Sequence, residues 1–175
     1  LEKMVQKLKE NENKYKSSPF RMADIEVWPS SLKALPDKIY ARPFPGLNID
    51  NLPLFVPILT KVKGKTLVHD WVYEDRAKYY LELNKLGANI ALLDLHRAVV
   101  EGPTTFKAGE VVCPPALRPA VNVLIGMLAA KGRSVLRDTY VIDRGYENLY
   151  GILNKAGADI KLVKSQLLEV SKKEN

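Results

Sequence analysis

Apolar residues at Leu1, Met4, Val5 and Leu8 fall at i, i+3, i+4 and i+7, a spacing that predicts an amphipathic helix over the first ten residues, LEKMVQKLKE. No cap residue or turn precedes Leu1, so the sequence is expected to start inside an element of a longer protein. The polar stretch NENKYKSSP reads as a loop, and ADIEVW and DKIYAR read as short strands separated by a Pro/Ser/Lys turn. From there one pattern runs twice. In the first copy a helix after Asp50 ends near Gly64, followed by the strand KTLVHDWVY, a helix starting at Asp75 and the sequence LNKLGANI. In the second a helix after Arg118 ends near Gly132, followed by SVLRDTYVI, a helix starting at Asp143 and LNKAGADI.

Gly64 and Gly132 stand 68 positions apart, and the same shift pairs Asp70 with Asp138, Asp75 with Asp143 and Arg76 with Arg144. A slip of two residues then pairs Gly87 with Gly157, each at a position where a left-handed residue ends a helix. Tyr79, Leu83 and Leu86 share a helical face in the first copy, as do Leu149, Ile152, Leu153 and Ala156 in the second; both faces are expected to be core. The expected architecture is α/β, with duplicated units that bury each other. Nothing in periodicity makes such a fold an enzyme.

Composition narrows the classes of function. With 46% hydrophobic and 27% charged residues over 175 positions, the chain has enough apolar material for one domain with a real core. No run approaches 18 apolar residues and the first ten residues are charged, so neither a membrane span nor a signal peptide is expected, and the cytoplasm is the expected location. The single cysteine, Cys113, excludes an internal disulfide, and His69 and His96 alone make no metal cluster. The net charge of +7 suits small anions, nucleic acid or an acidic membrane surface. The lysines are scattered and no aromatic-basic motif accompanies them, which argues against nucleic acid.

Chemistry is expected at the helix starts. Arg76, Arg118 and Arg144 each sit beside the predicted start of a helix, where a cation opposes the helix dipole by about 0.3–1 kcal/mol unless an anion binds there or a carboxylate such as Glu74 pairs with it. Asp50 precedes a helix and reads either as its N-cap or, in a cleft, as a general base toward a sugar hydroxyl. Cys113 ends the strand-like run GEVVC with no histidine nearby to activate it, so a buried structural thiol is expected.

RPFPGLNID, VYEDR, LRPA, and above all VIDRGYENL followed by LNKAGADI occur in an order and spacing that resemble the C-terminal portion of UDP-N-acetylglucosamine 1-carboxyvinyltransferases, from about residue 1 to about residue 165. The 5-enolpyruvylshikimate 3-phosphate synthases and RNA 3′-phosphate cyclases share the repeated architecture but are less similar in these motifs. The resemblance implies βαβαββ-type units: the end of a first unit over residues 1–50, a second over 51–113, a third over 114–165 and a tail over 166–175, all in one domain without its companion. It implies enolpyruvyl transfer from phosphoenolpyruvate to the 3′-hydroxyl of UDP-N-acetylglucosamine, in peptidoglycan precursor synthesis, through a tetrahedral intermediate that releases phosphate and without a cofactor or metal. In that scheme Asp50 takes the proton of the sugar hydroxyl and Arg144 grips phosphoenolpyruvate. Arg118 is an active-site arginine, Val72 and Tyr73 line the nucleotide-sugar pocket, and Arg76 binds substrate or, with Glu74, braces that motif.

Two positions depart from the family pattern, which has an aspartate where Ala116 stands and a threonine where Ile49 stands. Further family residues, a mobile-loop cysteine among them, lie in sequence absent here, and Cys113 does not match that cysteine. The chain alone is therefore expected not to turn over and to need the missing N-terminal half or a companion chain. A homodimer is the expected alternative cover for a sheet edge and apolar face left by the missing start of the first unit. A binding or interaction module that kept the fold, a synthase of the shikimate type, and a nucleic-acid binder resting on charge alone are the competing readings.

Overall fold

The computed structural model describes residues 8–11, 22–35 and 37–163. The first elements are β1 (Leu8–Asn11) and β2 (Asp24–Val27), an antiparallel pair in which Leu8 faces Val27 across the ladder. The described end of the opening segment is thus strand, not the helix that its spacing predicts. Pairing with a partner 13 or more residues away overrides a local 3.6-residue pattern. Residues 1–7 and the predicted loop beyond Asn11, up to residue 21, lie outside the described residues.

The body of the fold is a four-stranded sheet in the order β3-β4-β6-β5, built from β3 (Ile39–Tyr40), β4 (Gly64–His69), β5 (Asn89–Leu92) and β6 (Arg97–Gly102). A two-stranded sheet follows, β7 (Glu110–Val112) with β8 (Val135–Arg137). β3 and β4 are parallel and joined through α1 (Leu52–Leu59); β7 and β8 are parallel and joined through α2 (Leu117–Leu128). The helix crossing between two parallel strands is therefore the recurring piece. Alternation in β4 sends Thr66 and Val68 inward and leaves Lys65, Leu67 and His69 on the outer face. Val68 and Val100 then meet Leu52, Val56 and Leu59 of α1, and α2 closes the same core through Val123 and Met127.

The segment predicted as a helix from Asp75 begins at Ala77 and runs to Leu86 with 3₁₀ geometry. Its buried residues are Ala77, Tyr80, Leu83 and Leu86, spaced by three, as three residues per turn require. Tyr79, placed on the core face by a 3.6 period, is only partly buried. The two long predicted strands are also shorter than expected. KTLVHDWVY stops at His69, and SVLRDTYVI stops at Arg137 before turning into a short helix, α3 (Tyr140–Asp143). Asp143 ends that helix; the next, α4, spans Leu149–Lys155. In α4, Leu149 and Leu153 are partly buried against the cluster that includes Cys113, Leu124 and Ile142, while Ile152 is 57% exposed and Ala156 lies open, so half of that predicted face is not core.

The duplication extends to individual hydrogen bonds. The Asn84 side chain grips both the N–H and the C=O of Ile90 at 3.0 and 2.8 Å, and Asn154 does the same to Ile160 at 2.8 and 2.9 Å. Gly87 and Gly157 hold φ of 91° and 103° at the two helix ends, the left-handed region where a side chain is strained.

Candidate active site

The loop Arg42–Asp50 folds on itself: the Arg42 N–H donates to the Leu47 carbonyl at 2.9 Å, and the Asp50 N–H donates to Asn48 Oδ1 at 2.8 Å. Asp50 does not cap α1. The N-cap is Asn51, which makes no side-chain cap bond, and the Asp50 carboxylate turns toward α2. There Arg118, second residue of α2, holds Nη2 3.4 Å from Asp50 Oδ2 and donates from Nη1 to the Tyr146 hydroxyl at 2.9 Å. Residues 68 positions apart are brought together because α1 and α2 pack side by side behind them. The Asp50 and Arg118 side chains remain 44% and 27% exposed, so the pair is loose and reachable from solvent. At the start of α2 the N-cap is Ala116, without a side-chain cap bond, and no acidic residue lies in the first turn. Free helix N–H groups next to a guanidinium suit an anion.

Arg76 has a different fate from Arg118. Its side chain is 7% exposed and forms a bidentate pair with the fully buried Asp70, Nε to Oδ2 at 2.6 Å and Nη2 to Oδ1 at 2.7 Å. The partner is Asp70, not the neighbouring Glu74. Tyr80 donates its hydroxyl to Asp70 Oδ2 at 2.5 Å, and its phenol pKa is pushed far up, first by burial and then by the Asp70 charge. Nη2 of Arg76 also donates to the Ile49 carbonyl at 3.0 Å, directly beside Asp50. Trp71 ties the same loops together through Nε1 to the Ala41 carbonyl at 3.1 Å. Val72 and Tyr73, on the loop between, are 45% and 46% exposed, and the Tyr73 ring lies 4.3 Å from the Arg76 guanidinium carbon. Arg76 is thus placed to hold the Asp50 loop and the Tyr73 ring from behind.

Arg144 is not at a helix start. It is the C-cap of α3, exposed, and among the described residues no carboxylate pairs with it. Its dipole environment is accordingly the reverse of that expected, and its freedom comes from the lack of a carboxylate partner. The repeat makes the contrast explicit: Asp70, Arg76 and Tyr80 close a buried triad, whereas their counterparts Asp138, Arg144 and Tyr150 do not. The Tyr150 hydroxyl makes no hydrogen bond to Asp138 or Arg144. The structure unites Asp50 with Arg118, brings Arg76 and Tyr73 behind them, and leaves Arg144 separate from that contact. Two further contributors, Asp70 and Tyr146, were open to detection: the repeat aligns Asp70 with Asp138, and Tyr146 belongs to the DRGYE stretch.

Cys113 is 7% exposed, and its thiol is pushed up to about 11, mainly by burial and secondarily by the charge of Asp138. A rise of about two units from an ordinary thiol leaves roughly a hundredfold less thiolate, the reactive form. Alkylation of the folded chain at pH 8, followed by mass spectrometry, is expected to run about 100-fold slower than that of free cysteine; an equal rate would mean an exposed or activated thiol. His69 contacts Lys38 Nζ at 3.3 Å and His96 contacts the Asp70 carbonyl at 3.1 Å. Among the described residues no three His, Cys, Asp or Glu side chains gather as a metal site would need, and no helix is long and apolar enough to cross a membrane.

Residues 1–153 match the family model for EPSP synthase (3-phosphoshikimate 1-carboxyvinyltransferase). The UDP-N-acetylglucosamine 1-carboxyvinyltransferase of Borreliella burgdorferi is 40% identical over 129 residues, covering 74% of this chain and 30% of that protein. The Treponema denticola protein of the same name is 37% identical over 125 residues, 71% of this chain and 29% of the other. The chain thus spans about 30% of the length of these curated relatives. Among solved structures, the enolpyruvyl transferase NikO from Streptomyces tendae superposes with a TM-score of 0.76 at 26% identity, over 94% of this chain and 35% of that one. An EPSP synthase from Acinetobacter baumannii superposes at 0.67 and 17% identity, over 94% and 38%, and shares the fold.

Proposed function

The chain belongs to the EPSP synthase family of enolpyruvyl transferases, and from that premise we propose that it forms part of the catalytic domain of an enzyme that moves enolpyruvyl from phosphoenolpyruvate to the 3′-hydroxyl of UDP-N-acetylglucosamine. The observation that carries this reading is the meeting of Asp50 with Arg118 at 3.4 Å, half-open to solvent, at an uncapped helix start. A carboxylate within reach of solvent can accept a proton from a hydroxyl, and a neighbouring guanidinium can hold an anion beside it. In the proposed reaction Asp50 takes the proton of the sugar hydroxyl as its oxygen bonds to C2 of phosphoenolpyruvate, and the C2=C3 electron pair takes up a proton from solvent at C3. The resulting tetrahedral intermediate then loses phosphate from C2 and a proton from C3, which restores the double bond. Arg118 and Arg144 bind the anionic groups of phosphoenolpyruvate, the planar guanidinium fork matching carboxylate or phosphate oxygens. Val72 and Tyr73 offer exposed apolar surface for the nucleotide sugar, with Arg76 holding their loop. The three-unit division, the cytoplasmic location, the place in peptidoglycan precursor synthesis and the need for the remaining part of such an enzyme belong to the same proposal.

The test is complementation. The chain is mixed with the remaining N-terminal portion of a relative, itself inactive, and phosphate release is followed with both substrates. Release is expected only from the mixture, and Asp50→Asn is expected to lower it by about 10²–10⁴ with unchanged melting, the usual contribution of a general base. Release with shikimate 3-phosphate but not with UDP-N-acetylglucosamine would redirect the reading to a shikimate-type synthase. Ala116 and Ile49, in place of the acidic and hydroxyl residues of the family pattern, favour a second reading, a module that binds without chemistry. Nucleotide-sugar binding with no release in any mixture is its signature.

A further inference from the structure

We propose that Tyr146 is a positioning residue of this site, holding the Arg118 guanidinium open toward substrate; the inference rests on the functional reading above. The same pair of residue types takes two geometries in this fold. Buried Arg76 closes on Asp70 with two bonds of 2.6 and 2.7 Å, while Arg118 reaches Asp50 with a single contact of 3.4 Å. Arg76 pairs through Nε and Nη2, whereas Arg118 reaches Asp50 through Nη2 alone and turns Nη1 to another partner. Nη1 of Arg118 is taken by the Tyr146 hydroxyl at 2.9 Å, and the guanidinium carbon lies 5.3 Å from the centre of the same ring.

Tyr146 is itself firmly seated. Its N–H donates to the Ile142 carbonyl at 3.0 Å and its ring packs against the cluster formed by Ala120, Leu124 and Ile142. The preceding residue explains the fixed distance to α2. A Cβ on Gly145 would fall 2.0 Å from Leu117 Cδ2, so a side chain there would have to displace that of Leu117, the residue before Arg118. The turn carrying DRGYE thereby grips two consecutive residues of α2, Leu117 by close approach and Arg118 by hydrogen bond. With its hydroxyl accepting from Nη1, Tyr146 orients the Arg118 guanidinium so that Nη2 alone reaches Asp50, at 3.4 Å. Asp50 stays available to a hydroxyl and Arg118 to an anion.

Guanidinium ¹⁵N spectra of the full chain, assigned with Arg118→Lys, provide the test. In the wild type the Arg118 Nη signals are expected to be separate, because rotation about Nε–Cζ is held. Tyr146→Phe, which keeps the ring and removes the oxygen, is expected to change their pattern as the fork leaves the phenol. Asp50→Asn, with the phenol intact, is expected to leave Nη1 held. Identical Arg118 spectra in wild type and Tyr146→Phe overturn the proposal; if that variant does not fold, loss of the held Nη1 signal in Asp50→Asn overturns it equally. Phosphoenolpyruvate is then titrated into both proteins, and half-saturation is expected to rise about tenfold in Tyr146→Phe, the scale of one hydrogen bond to a charged group. Equal half-saturation also counts against the positioning role. A wild-type chain that ignores phosphoenolpyruvate at any concentration speaks against the substrate reading, while the ligand-free spectra still decide the role of Tyr146.

Discussion

Asp70→Ala is expected to cost about 3–5 kcal/mol, the scale of breaking a buried ion pair from one side. Asp70 is fully buried and receives two bonds from Arg76 and one from Tyr80. Removing it strands a guanidinium with 7% exposure and a phenol with none in an apolar interior, and neither can recover water. For a chain of this size that loss corresponds to a melting temperature lower by roughly 6–20 °C, measurable by calorimetry or circular dichroism. The double variant Asp70→Leu with Arg76→Met is expected to recover part of it, since no buried charge is left unpaired. A melt within two degrees of wild type for Asp70→Ala would show that the triad is not a brace. The functional effect should follow the structural one: Arg76 also holds the Ile49 carbonyl, so its release frees the loop that presents Asp50.

The 68-residue repeat was readable because glycines and acidic residues mark turns and helix ends by their own backbone chemistry, and both copies keep them. The 3₁₀ segment left a trace as well, Ala77, Tyr80, Leu83 and Leu86 at intervals of three, hidden because Leu83 and Leu86 also fit an α-helical face. Asp50 with Arg118 followed from helix starts and the resemblance, but their contact depends on α1 packing on α2, which no local pattern encodes. Tyr146 stood inside the most specific motif, yet its partner lies 28 residues earlier on another element. Least legible was the divergence of Arg76 from Arg144. The two are equivalent in sequence, and only the surroundings separate them: Arg76 opens a 3₁₀ helix against a buried aspartate, while Arg144 ends a four-residue helix in solvent.

That divergence makes Arg144→Ala the sharper functional experiment. An exposed arginine without a carboxylate partner among the described residues contributes little to folding, so the variant is expected to melt within about 0.5 kcal/mol of wild type. A clamp on a transferring phosphate or its carboxylate acts where charge gathers in the transition state, and losing one such donor typically costs about 10²–10³ in rate. Phosphate release in the complemented system is therefore expected to fall by at least about a hundredfold in Arg144→Ala, with only partial recovery in Arg144→Lys, because an ammonium cannot offer two parallel donors. The pairing with Asp70→Ala discriminates between the roles: one variant loses stability first, the other loses only turnover. A melt as low as that of Asp70→Ala would make Arg144 a second brace, and unchanged phosphate release at a normal melt would remove it from the site. Either result bears on the repeat as a whole, since a duplicated arginine is free to take up chemistry only in the copy where folding no longer depends on it.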